Sequence, residues 1–85
     1  MSDSVEDNLR NETIKWLKKA EQQFRKIAIV DVNSRNDRFL GNISAYISDS
    51  RYFLERGDLI RAFESVVWAW AWIEIGFEME ILISR

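Results

Sequence analysis

Residues 53–77 read Phe53-Leu54-Glu55-Arg56-Gly57-Asp58-Leu59-Ile60-Arg61-Ala62-Phe63-Glu64-Ser65-Val66-Val67-Trp68-Ala69-Trp70-Ala71-Trp72-Ile73-Glu74-Ile75-Gly76-Phe77. Arg56-Gly57-Asp58 is a helix stop followed at once by a helix start. Gly57 suits the left-handed residue just past a helix, and the Asp58 carboxylate suits the N-cap of the next one. The same tripeptide spells a cell-adhesion motif; in a chain whose first residues carry no secretory pattern it is read as a turn. From Leu59 onward apolar residues recur every three or four positions, the period of a helix. A connection this short makes the flanking helices antiparallel neighbours.

Working back from the turn, Phe39, Leu40, Ile43, Tyr46, Ile47, Phe53 and Leu54 define one face of a second helix over about 36–56. Gly41 near its start would let a neighbouring helix approach closely. Before it, Asp31-Val32-Asn33-Ser34-Arg35-Asn36-Asp37 is a polar break rich in turn and cap residues. Its spacing of Asp31, Asn33 and Asp37 resembles a calcium loop, but the sixth-position glycine and the twelfth-position acid are missing. A first helix is predicted over about 4–30. Ser4 caps it, with Asp7 three residues on, and Leu9, Thr13, Trp16, Ala20, Phe24 and Ile27 form its apolar face. Val5 and Leu17 lie at the edges of that face. The third helix covers about 58–83. The prediction is a single all-α domain over residues 1–85, an antiparallel up-down-up three-helix bundle.

The third helix carries two apolar stripes. One is Leu59, Phe63, Val66, Trp70, Ile73 and Phe77, with Ile81 close by; its alternating steps of four and three mark a bundle seam. The other is Trp68, Trp72, Ile75, Met79 and Leu82, pointing roughly the opposite way. A helix touching two neighbours needs one wide apolar arc and not two opposed ones. A covered aromatic side chain buries about 150–250 Å². Leaving the second stripe bare would exceed the roughly 300–600 Å² patch of an ordinary monomer. Trp68, Trp72, Ile75, Met79 and Leu82 are therefore the predicted protein interface. The alternative is internal: helix one covers one stripe and helix two covers a flank of the other.

Composition narrows the chemistry. The 85 residues contain no His, Cys or Pro, so thiol and imidazole catalysis and Cys/His zinc sites are excluded. Glu74 and Glu78, four apart, read as a solvated or ion-paired face and not as a catalytic pair. No catalytic residue, metal ligand or cofactor site is predicted, and the chain is not expected to be an enzyme. Net charge is −2, which disfavours a general grip on nucleic acid. Lys15, Lys18, Lys19, Arg25 and Lys26 nevertheless cluster on the first helix, where they could contact nucleic acid or an acidic partner, or pair with Glu74 and Glu78 across the bundle. The longest apolar run, Val66 to Ile73, is far short of the roughly 20 residues of a membrane span. The expected setting is cytoplasmic, with no membrane partner. Asn11-Glu12-Thr13 and Asn42-Ile43-Ser44 match the glycosylation pattern but fall inside predicted helices.

The Tyr52-Phe53-Leu54-Glu55-Arg56-Gly57-Asp58 turn and the Trp68-Ala69-Trp70-Ala71-Trp72 run, within the stretches 47–64 and 66–76, resemble the archaeal domain-of-unknown-function 357 family. The resemblance covers roughly the last half of the chain. It implies a compact three-helix fold and an archaeal cytoplasmic protein, and it implies no reaction. A chain of this size and helical class is also similar to small accessory subunits of crenarchaeal family-B DNA polymerases, which implies a larger enzyme as partner and a role in DNA replication. The hairpin further resembles tetratricopeptide and HEPN hairpins. A single hairpin shows no repeat, and HEPN ribonuclease chemistry needs a histidine this chain lacks. The expected function is a non-catalytic subunit that docks on a larger protein. The alternatives are a self-associating homodimer and a weak nucleic-acid-binding bundle.

Overall fold

A computed structural model of the chain describes residues 4–30 and 36–85. They form α1 (Val5–Phe24), β1 (Ile27–Ile29), α2 (Asp37–Glu55), α3 (Leu59–Glu78) and β2 (Leu82–Ser84). The fold is mainly α. α2 runs antiparallel to α3: Phe39, early in α2, meets Trp72, late in α3, while Ser50, late in α2, bonds Ala62, early in α3. α1 lies parallel to α3, because β1 and β2, which follow the two helices, pair with each other.

The helix ends follow the chemistry of their residues. The Asp7 N–H donates to Ser4 Oγ at 3.0 Å, and the Arg61 N–H donates to Asp58 Oδ1 at 3.2 Å. At the end of α2, Gly57 takes φ 78°, so the Asp58 N–H reaches the Phe53 carbonyl at 2.9 Å and the Gly57 N–H reaches Leu54 at 3.1 Å. This double bond around a left-handed residue satisfies carbonyls the helix leaves open. α3 closes the same way around Glu80, at φ 59°, with the Ile81 N–H on the Gly76 carbonyl at 2.8 Å and the Glu80 N–H on Phe77 at 3.0 Å.

Both outer helices are shorter than the sequence periodicity predicts. The first ends at Phe24 instead of about residue 30, and the third at Glu78 instead of about 83. The intervening residues form a small antiparallel sheet with Ile27 opposite Ser84 and Ile29 opposite Leu82. The Val30 N–H extends it to the Ile81 carbonyl at 2.8 Å. Ile27, Ile29, Val30, Ile81 and Ile83 are β-branched and fit a pleated surface better than a helix end. A period of three or four and a period of two are hard to tell apart over so few residues.

The core is built from Leu17 and Ala20 of α1, Phe39, Ile43 and Ile47 of α2, Val66, Ala69 and Ile73 of α3, and Ile27 and Leu82 of the sheet. Leu17 is thus central and not at the edge of the α1 face. Gly41 is exposed, with nothing near the place a Cβ would occupy, so it makes no close helix approach. Gly76 does: a Cβ there would meet Leu82 Cγ at 2.6 Å and Phe39 Cδ1 at 3.2 Å. The missing side chain is what lets β2 fold back over the end of α3. Of the polar break, residues 31–35, including Asp31 and Asn33 of the calcium-like spacing, lie outside the described residues.

Candidate protein interface

The placement of α3 decides what is left open. Its buried positions are Leu59, Ala62, Ser65, Val66, Ala69, Ile73 and Gly76. Seen end-on, that arc is turned from the predicted inner stripe toward its small residues. Phe63, Trp70 and Phe77 sit half-buried at the α1 side. There the Trp70 indole N–H donates to the Trp16 carbonyl at 3.1 Å, and the two rings meet edge to face at 5.9 Å. On the other side Ser50 Oγ donates to the Ala62 carbonyl at 2.7 Å, which needs close contact between α2 and α3.

The five predicted interface residues separate into three groups. Trp68, Ile75 and Met79 remain 52%, 47% and 62% exposed on the outward face. Trp72 is half-buried, its ring edge-on to Phe39 at 4.9 Å. Leu82 is 2% exposed and belongs to the core, because the chain has left the helix by that point and turned inward as β2. The internal alternative therefore holds for the flank: α1 covers Trp70 and α2 covers Trp72. Trp68 lies between these situations, with one face stacked on Tyr46 at 6.0 Å and an interplanar angle of 18°.

The sequence reading missed Ile60 and Val67, both exposed on the outer half of α3. The signal was present: Ile60, Val67 and Ala71 follow one another by seven and four, a second line beside the tryptophan stripe. Val67 and Ala71 also border a shallow open cleft of about 390 Å³ between α1 and α3, with Trp16, Trp70 and Glu74 around it.

The basic cluster is exposed throughout but is not a continuous stripe. Lys15 pairs with Glu12 at 3.1 Å, and Lys15 and Lys19 lie 5.5 and 4.7 Å from the centre of the Trp16 ring. Hydrogen bonds from Lys15 and then from the Trp16 indole hold the Glu12 carboxyl below the usual carboxylate range. Arg25 and Lys26 lie past the end of α1, where their carbonyls accept from Arg85. Glu74 and Glu78 join no ion pair among the described residues, so the cross-bundle pairing that was one of the readings of the basic cluster is not seen there. The described residues contain no group of three or more His, Cys, Asp or Glu placed to hold a metal ion. No described helix is long and apolar enough to cross a membrane.

A three-helix bundle closed by a two-stranded clasp, with an apolar outward face on α3, defines the class of protein. The chain belongs to the family described as "Protein of unknown function (DUF357)", whose model matches residues 14–82. It is similar in structure to protein AF1782 from Archaeoglobus fulgidus, a crystal structure assigned to the same family. The two are 55% identical with a TM-score of 0.87, over 96% of this chain and 100% of that one. A comparison with curated proteins finds no match.

Proposed function

We propose that this chain is a non-catalytic interaction subunit, cytoplasmic in setting, that docks on a larger protein through the outward face of α3. The observation that carries the reading is the joint exposure of Trp68 and Ile75 on α3 and of Met79 at its C-cap. Tryptophan is enriched among interface hot spots, and methionine adapts its shape to a partner. The stacking of Trp68 on Tyr46 supports the reading further, because it holds the indole in a fixed orientation before any partner arrives and lowers the entropic cost of binding. Resemblance in size and helical class nominates a family-B DNA polymerase as the partner.

The test uses purified archaeal family-B polymerase and the double variant Trp68→Ser/Met79→Ser. Trp72 is left intact because it packs on Phe39. Wild-type protein should co-elute with the polymerase and raise its melting temperature by mass action. The variant should keep its helical circular dichroism and lose both effects. Equal binding by wild type and variant would defeat the assignment of the surface. No binding by wild type would defeat the choice of polymerase.

A further inference from the structure

Six residues run down the outward side of α3 in alternating steps of three and four: Arg61, Glu64, Trp68, Ala71, Ile75 and Glu78. Five are exposed, and Ala71 is half-buried in the middle of the row. We infer that this row pairs with the same row of a second copy of the chain, the two α3 helices crossing antiparallel about a two-fold axis between Trp68 and Ala71. The inference rests on the reading of this face as a protein-binding surface, and it names a partner that the free protein always has available.

Three features of the row select that occupant and that direction. The first is size. Two-fold antiparallel pairing sets Trp68 of each copy over Ala71 of the other, the largest side chain of the row into its smallest, as knobs enter holes in helix pairs. The second is charge. The same register sets Arg61 opposite Glu78 of the second copy at both ends. Parallel pairing would instead set Arg61 against Arg61 and Glu78 against Glu78, which like charge disfavours. Arg61 already holds Asp58 through Nη1 at 2.9 Å, but a guanidinium has five donors in all, and this one is exposed.

The third feature is the helix dipole. Glu78 is the last residue of α3 and is unpaired among the described residues, a position that disfavours negative charge. Antiparallel pairing moves it level with the N-terminal turn of the second α3, where negative charge is favoured. The areas agree. Ile60, Val67, Trp68, Ile75 and Met79 together offer on the order of 600 Å² per copy, or about 1,200 Å² across the pair, the lower edge of specific interfaces. Self-pairing would then cover the docking face until a larger partner displaces the second copy.

The test is sedimentation equilibrium on the full chain over about 1–500 µM, with circular dichroism as the folding control. Wild type should be a dimer with a dissociation constant in the micromolar range. Arg61→Glu and Glu78→Arg alone should each weaken it at least ~10-fold, equivalent to about 1.4 kcal/mol. The double variant Arg61→Glu/Glu78→Arg should recover most of the loss. Ala71→Lys should give a folded monomer. A monomeric wild type across the range overturns the inference, as does a dimer indifferent to the single charge changes or not recovered by the double one. These outcomes are separable from the polymerase test: a monomer that binds polymerase sinks self-pairing alone, and a dimer that never binds it sinks only the choice of polymerase.

Discussion

Down the inner face of α3 run Ala62, Ser65, Ala69 and Gly76, set between Leu59, Val66 and Ile73; down its outer face run Trp68 and Ile75, with Met79 exposed at its C-cap. The small residues are inside and much of the largest apolar surface is outside. Hydrophobicity alone would rank these residues the other way. Distance resolves the difference, because α2 lies close enough for Ser50 to bond the Ala62 carbonyl, and β2 close enough for Leu82 to fill the space over Gly76. Side chains the size of tryptophan do not fit such an approach. They are left to the flanks, where Trp70 and Trp72 find partners, or to the outside, where Trp68 finds half of one.

The contrast can be broken first from inside. Ile73→Ala removes a side chain only 2% exposed and should cost about 2–5 kcal/mol in urea unfolding. Gly76→Val forces Leu82 and Phe39 apart and should cost about 1–3 kcal/mol. Its mark is faster amide exchange at Val30 and Arg85, whose N–H groups bond across the sheet. A change confined to α3 would refute the claim that this glycine holds the clasp. Ser50→Ala deletes the buried hydroxyl bonded to Ala62 and should cost about 1 kcal/mol.

Two smaller effects sharpen the contrast at the ends of α3. Glu80→Gly relieves a non-glycine residue at φ 59° and should stabilise the fold by about 0.5–1 kcal/mol. A loss of stability would mean the Glu80 side chain does something the backbone does not reveal. Asp58 is held below the usual carboxylate range, first by the Arg61 side chain and then by the Arg61 N–H. A lowered folded pKa means its contribution is present above the ordinary carboxylate range and is lost as pH falls through the folded value. Asp58→Asn should flatten the acid limb of the stability curve. A limb unchanged by the substitution would place the acid sensitivity elsewhere.

Much of the fold was legible in residue order. Gly57 and Asp58 announce their turn because few other residues satisfy a left-handed stop and an N-cap in succession, and Ser4 announces its helix in the same way. The clasp was not legible. Ile27-Ala28-Ile29 and Leu82-Ile83-Ser84 are too short to show a period of their own, and they pair only because the helices before them are parallel. That long-range condition also hid Leu82, which continues the spacing of the tryptophan stripe but has already left the helix. On α3 the surplus of apolar surface was readable, while its division between flank and outside was not. That division depends on where Phe39 and Tyr46 of α2 stand, and on small residues whose importance lies in what they leave room for.

A docking role requires that the outward face of α3 contribute little to the fold. The urea midpoint of Trp68→Ser/Met79→Ser tests it most directly. The account predicts a stability within about 1.5 kcal/mol of wild type, most of the difference being the lost stacking on Tyr46, with the unfolding slope unchanged. A loss as large as that of Ile73→Ala would contradict it and return this face to the core.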